Sequence, residues 1–454
     1  MKKQVKQMTT GHPMPLIVSF AIPLMFGNIF QQMYSVVDSM VVGRNLGIAA
    51  LASLGICNWP NWIMIGMLQG LAQGISIRLA NSFGSGKTEE LKKSFYNSIL
   101  LSGAFMVFLL ILSELLSLPM LRLLGTADEL IPDALLYLRI VFAGIPFIMV
   151  YNLLAAALRA LGNSRTPLIA MAVASVANVL LDIWFVVGFH WGIAGAAIAT
   201  VLAQVLAMLI CLKTVLKIQD LHFSREHMSI HWGIIGDMLL ISTPMALQNF
   251  LIAGGGMVVQ SAANQFSVLF IAGFTAGGKM HGLLEIATSS FGFAMTTYVA
   301  QNLGARKMDR IHHGVRCGIL AALITSFLIA AFFLITGKWI LLGFVSGNPS
   351  DIASTVNIGY RYLAIMCICL PVLYLLYVFR SSLQGLGNTF LPMISAIAEL
   401  IMRTSSAILL SKLIGQDGVF IAEVAAWFGA DFVLITSYFY VVKKTEKMIE
   451  NNEI

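Results

Sequence analysis

The chain has 454 residues, of which 58% are hydrophobic and only 11% charged, with a mean hydropathy of +0.85 and a formal net charge of +7. Soluble domains carry about 25% charged residues, so the composition excludes a soluble globular fold and indicates an integral membrane protein. A spanning helix needs about 20 apolar residues. About twelve of them fill a chain of this length, leaving short loops and no room for a sizeable soluble domain.

Apolar segments fall at 14–36, 48–78, 94–117, 132–159, 166–188, 193–217, 235–262, 268–300, 314–337, 354–384, 391–413 and 418–442. Each is read as a helix, because a segment in lipid must satisfy its backbone groups internally. The short alternating segments of a transmembrane barrel are absent. The first segment is too long for the apolar core of a signal peptide and has no small-x-small cleavage site after it, so it is expected to be retained. Pro23, Pro146, Pro244 and Pro371 lie inside segments and predict kinks. Cys57, Cys211, Cys317, Cys367 and Cys369 lack metal-ligand spacing and read as free thiols. His12, His222, His227, His231, His312 and His313 fall in loops or at segment ends and read as solvated.

Twenty of the 28 Lys and Arg residues lie on one side of this arrangement, among them Lys2, Lys3, Arg78, Arg159, Lys217, Arg306, Arg380 and Lys443. Six lie on the other side, and Lys279 and Arg403 fall within apolar segments. The basic side is cytoplasmic by the positive-inside rule. Both termini are therefore expected inside a cell membrane, and the +7 charge reflects this bias rather than a nucleic-acid surface.

The chain repeats itself. "LRALGNSRTP" (158–167) aligns with "LQGLGNTFLP" (383–392) at an offset of 225, and "LANSFGSGK" (79–87) with "VAQNLGARK" (299–307) at 220. "PLMFGN" (23–28) aligns with "PMALQN" (244–249) at 221. Two homologous six-helix halves follow. The predicted organisation is a lobe over 1–217, a cytoplasmic linker over 218–235, a second lobe over 236–443 and a cytoplasmic tail over 444–454. An even helix number gives both halves one topology, with a binding site expected between them.

An ionisable group inside a bilayer costs roughly 2.5–3.5 kcal/mol on insertion scales, which makes each one a functional candidate. On the first predicted helix Gln31, Tyr34 and Asp38 share a face at i, i+3 and i+7, and on the fifth Ser175, Asn178 and Asp182 repeat that spacing. Thr200 and Gln204 follow on the sixth, and Asn152 is a lone polar residue on the fourth. Two carboxylates among amides and hydroxyls are suited to a proton or a cation, although polar residues also serve to glue helices. The repeat sets Val259 opposite Asp38 and Ala407 opposite Asp182, so this chemistry is expected in the first half only. In the second half Glu399 and Arg403, at i, i+4, are expected to form a structural intrahelical pair. Gln248, Asn249, Gln260, Asn264 and Glu285, with Gln31, Tyr34 and Gln204 of the first half, are candidates for a substrate cavity. No HExxH, P-loop or GxSxG motif is present, which argues against an enzyme and against ATP-driven transport.

"MYSVVDSMVVGRNLG", "LRALGNSRTP", "NVLLDIWFVVGFHWGIAGAAIATVLAQ", "PMALQN" with "MVVQSAANQF", and "AMTTYVAQNLGA" resemble the multidrug and toxic compound extrusion (MATE) family over nearly the whole chain. Within it, Asp38, Asn178, Asp182 and Thr200 match the first-half pattern of the DinF-like branch, and Asn152 and Tyr137 fit as further members of that site. The NorM branch instead carries acids on its seventh and tenth helices, and 238–262 and 362–379 contain none. The resemblance implies an all-α, V-shaped, two-lobed antiporter. It would act as a monomer without cofactor and export organic, often cationic, amphipathic compounds in exchange for H⁺, or for Na⁺ held at Asp38 and Asp182. The rival readings are a flippase for lipid-linked glycans, which basic rather than Asp-lined cavities would favour, a membrane-embedded enzyme, and a passive channel.

Overall fold

The computed structural model describes residues 5–343 and 348–451. Residues 1–4, 344–347 and 452–454, which include Lys2, Lys3 and the end of the predicted tail, lie outside the described residues. In the first half the helices are α1 (Pro13–Leu46), α2 (Ile48–Gly84), α3 (Thr88–Leu123), α4 (Ile131–Ala143), α5 (Ile145–Ala160), α6 (Arg165–Asp182) and α7 (Gly192–Val215). The second half has α8 (Trp232–Ala263), α9 (Val268–Gly304), α10 (Met308–Leu342), α11 (Pro349–Gly385), α12 (Phe390–Ile414) and α13 (Gln416–Glu450). Among the described residues ten helices are individually long and apolar enough to cross a membrane. The pair α4–α5, bent by 46°, is long and apolar enough for one more span when the two helices are taken together. The remaining rod, α9, is as long, but Lys279, His281 and Glu285 interrupt its apolar run. The architecture is thus an all-α, multi-pass membrane fold of two six-rod sets.

One proline position shows how the halves diverge. Pro146 and Pro371 are repeat equivalents, yet α4–α5 breaks where α11 runs on. The residue two before the proline is Gly144 in the first half and Cys369 in the second. A Cβ on Gly144 would come within 2.7 Å of Val201, so the glycine admits α7 at the break. A proline alone kinks a helix; with a glycine beside it the helix ends and restarts.

Two compact units are present, and their limits differ from the division drawn from the repeat. Among the described residues the first comprises Ile22–Ala246 and residues 5–7; the second comprises Met8–Ala21 and the described residues from Leu247 onward. Each limit cuts a helix beside an equivalent proline, Pro23 in α1 and Pro244 in α8. In the first unit the start of α8 packs on α2 at two glycines. A Cβ on Gly70 would lie 2.6 Å from Ala246 and one on Gly74 would lie 2.1 Å from Ser242 Oγ. The Ser242 hydroxyl donates to the Leu71 carbonyl at 3.2 Å. In the second unit the stretch before α1 is held by side chains of α9 and α10 and the turn between them. The Met8 amide donates to Gln301 Oε1 at 2.8 Å, and its carbonyl accepts from Asn302 and Arg310 at 3.2 and 3.1 Å. Lys307 donates to the Thr9 carbonyl at 2.9 Å.

The predicted linker folds down on α3 of the first unit. Asn97 bonds the Ser229 carbonyl and the His231 amide at 3.1 and 2.9 Å. His227, expected to be solvated, is 5% exposed, with Ser224 on one ring nitrogen and Glu89 on the other. A loop histidine is buried here because both of its nitrogens find partners.

Candidate functional site

Asp38 lies inside α1, one turn before Val42, and Asp182 ends α6 one turn before Val186. Val42, Val186, Ala50 and Ala196 pack into one buried cluster. The chain after Asp182 widens into a π-helix over Ile183–Gly188, in which the Phe189 amide donates to the Trp184 carbonyl at 2.9 Å. Such segments recur at functional sites. Packing the two valines together draws the two acids together, and their carboxyl groups lie within hydrogen-bonding reach of each other. Asp38 is 6% exposed and Asp182 is fully buried. Asp38 Oδ1 and both Asp182 oxygens find no donor in the protein. Two bare carboxylates cannot hydrogen-bond each other. A proton shared between them, or a cation held by both, makes the contact favourable.

The other first-half residues stand at differing distances from this pair. Tyr34 has Gln31, Asp38 and Asp182 as neighbours, and Tyr137, 7% exposed, has Asp38, Asp182, Tyr34 and Cys57. Asn178 is fully buried; its amide donates to Thr200 Oγ1 at 3.5 Å and its Oδ1 has no donor. Gln204 Oε1 is likewise buried without a donor. Asn152 turns its amide back to the Ile148 carbonyl at 2.8 Å. The Cys57 thiol, which spacing gave no reason to select, donates to the Ala134 carbonyl at 3.3 Å beside Tyr137.

In the second unit Val259 and Ala407, which replace the acids, are 1% and 0% exposed. Two polar candidates of this half, Gln248 and Gln260, bond to other amides of the same unit. Gln248, 5% exposed, accepts from Gln384 at 3.3 Å, and Gln260 donates to Asn264 at 2.9 Å where α8 ends. Asn249 is half-buried on α8. Glu399 and Arg403 meet at 2.8 Å, but as the centre of a longer chain. Glu399 also binds Arg380 of α11 at 2.9 Å, and Arg403 binds Glu423 of α13 at 3.0 Å. Glu285 of α9 lies beside Glu423, Arg403 and Glu399. Arg380, counted above with the cytoplasmic charges, is 4% exposed and belongs to this network. It sits more than a turn inside α11, whose helix continues to Gly385. The "GGG" at 254–256 has a role here too. A Cβ on Gly255 would come within 2.7 Å of Arg403, so the glycine leaves room for the guanidinium against α8.

These features define a duplicated, multi-pass helical membrane protein whose two halves hold different buried charge sets. The MatE family model matches residues 23–184 and 244–409, once in each half, and the chain belongs to that family. It is 30% identical to the probable multidrug resistance protein YpnP of Bacillus subtilis, over 90% of this chain and 91% of that one. Similarity to the probable multidrug resistance protein NorM of Thermotoga maritima is 22% over 83% and 81%. The fold matches a crystal structure of MATE in complex with MaL6 at a TM-score of 0.91 and 22% identity, over 97% and 98% of the two chains.

Proposed function

We propose that this protein is a cation-coupled antiporter that exports organic, often cationic, amphipathic compounds by alternating access, with H⁺ as the coupling ion in preference to Na⁺. The class of cargo is supported by the relatives described as multidrug resistance proteins. The coupling is supported by one observation above the others: Asp38 and Asp182 meet, buried, with no donor for three of their four oxygens. Asn178, one turn before Asp182 on α6, and Thr200, to which it donates, offer neutral oxygens. A carboxylate removed from water favours its neutral form. A proton taken up from outside and released inside would therefore switch the charge of the pair. Each charge moving inward down the membrane potential yields about 2.3 kcal/mol per 100 mV, enough to drive modest uphill export. The cell membrane, cytoplasmic termini, a monomer and contact with membrane lipids belong to the same proposal.

The test uses purified protein in liposomes, with pH and Na⁺ gradients imposed separately. Dye efflux driven by a pH gradient at zero Na⁺ is the expected result. Efflux that requires Na⁺ and ignores the pH gradient overturns the proton assignment, and no gradient-driven efflux at all overturns the antiport reading.

A further inference from the structure

The buried network of the second unit is out of charge balance. Its ion pairs run Arg380–Glu399–Arg403–Glu423, two guanidiniums against two carboxylates. Two further carboxylates interact electrostatically with it: Glu285 with Arg403 and Glu423, and Asp431 with Arg380 and Glu399. On α13 Glu423, Trp427 and Asp431 recur every four residues and so share one face, and Trp427 stacks on His281 of α9 at 5.7 Å. Asp431 is 6% exposed, yet its Oδ1 finds no donor. Arg380 uses Nη2 on Glu399, while its own buried Nε finds no acceptor. A buried acceptor and a buried donor whose groups interact electrostatically are thus left without a bond, in a segment where an uncompensated charge is costly.

We propose that Asp431 is a proton-binding residue of the second unit, neutral while Arg380 is held by Glu399 and releasing its proton when Arg380 turns to it. The surroundings favour a proton over a larger cation. The Arg380 guanidinium repels a metal ion, and a proton needs no coordination shell. Glu399 makes the exchange feasible, because it holds Arg380 on one oxygen and Arg403 on the other and stays paired when Arg380 leaves. On release, the carboxyl O–H bond breaks, its electron pair remains on the Asp431 oxygen, and the proton passes to water. The charged or titratable groups facing this step are Arg380 with Tyr377 on α11, Glu399 and Arg403 on α12, Glu423 on α13, and Glu285 with His281 on α9. This site is separate from the Asp38–Asp182 pair and stands or falls without it.

The experiment is infrared spectroscopy of the purified full-length protein carrying isotope-labelled aspartate, titrated around neutral pH. A labelled protonated-carboxyl band is expected that survives Asp38→Asn, disappears in Asp431→Asn, and persists to higher pH in Arg380→Gln. If Asp431→Asn does not fold, Asp431→Glu should remove the labelled band and add an unlabelled one. A spectrum unchanged by Asp431→Asn or Asp431→Glu overturns the proposal, as does a band lost entirely in Asp38→Asn.

Discussion

The carboxyl group of Asp38 meets that of Asp182 across the α1–α6 contact, with Tyr34 and Tyr137 beside the pair and no amide or hydroxyl donating to either oxygen of Asp182. Asp38→Asn would put an amide donor against Asp182 and satisfy that acid permanently. Efflux is expected to fall to background, while membrane insertion and the unfolding temperature stay near wild type. Dye efflux from energised vesicles, with detergent-solubilised unfolding as control, checks this. Wild-type efflux in the variant would remove Asp38 from the coupling reading.

Proton and sodium chemistry at this pair depend oppositely on pH. A proton site empties as pH rises, whereas a Na⁺ site needs the charge that high pH provides. Na⁺ affinity measured across pH, in wild type and in Asp182→Asn, is therefore expected to be weak throughout. A tight, alkaline-favoured Na⁺ site lost in Asp182→Asn would assign the pair to sodium.

Glu399 binds two buried guanidiniums, so its loss differs in kind from loss of an exposed helix pair. Exposed i, i+4 pairs contribute about 0.2–0.5 kcal/mol, whereas removing one partner of a buried pair costs about 3–5 kcal/mol. Glu399→Ala is expected to fall in the second range and to lower the unfolding midpoint strongly. A loss under about 1 kcal/mol would mean that water reaches the arginines.

Gly162 and Gly387 are repeat equivalents, both left-handed, with φ of +80° and +81°. A Cβ on Gly162 would come within 2.0 Å of the Lys6 carbonyl, while nothing lies within 4 Å of one on Gly387. Gly387→Ala is therefore expected to cost about 1–2 kcal/mol for its backbone conformation alone. Gly162→Ala should cost more and should also release the Lys6 amide from the Leu161 carbonyl, which it reaches at 3.0 Å. Unfolding of both variants, with amide exchange at residues 5–8, reports the difference; equal costs would contradict it.

His227 pins the segment between the halves to α3 through Glu89. His227→Ala is expected to speed amide exchange across residues 222–231 with little change elsewhere. Unaltered exchange there would show that Asn97 and the packing of Phe223 against Phe95 and Tyr96 suffice.

The sequence by itself determined the membrane class, the all-helical fold and the duplication, because apolar length and repeated motifs such as "LGN" are local properties of the chain. It also set Asp38 and Asp182 apart, since a charge within an apolar run and a polar face at i, i+3 or i+4, i+7 are visible without coordinates. What each charge meets was decided by tertiary structure alone. The burial of Arg380 and of His227 shows only where α12 brings Glu399 to the one and α3 brings Glu89 to the other. The Glu399–Arg403 spacing revealed one ion pair of three, because Arg380 and Glu423 arrive from other helices. The passage of the starts of α1 and α8 into opposite units was equally hidden. It depends on bare glycine surfaces at 70 and 74 and on side chains near 302, and complementarity between distant segments leaves no periodic trace in the chain.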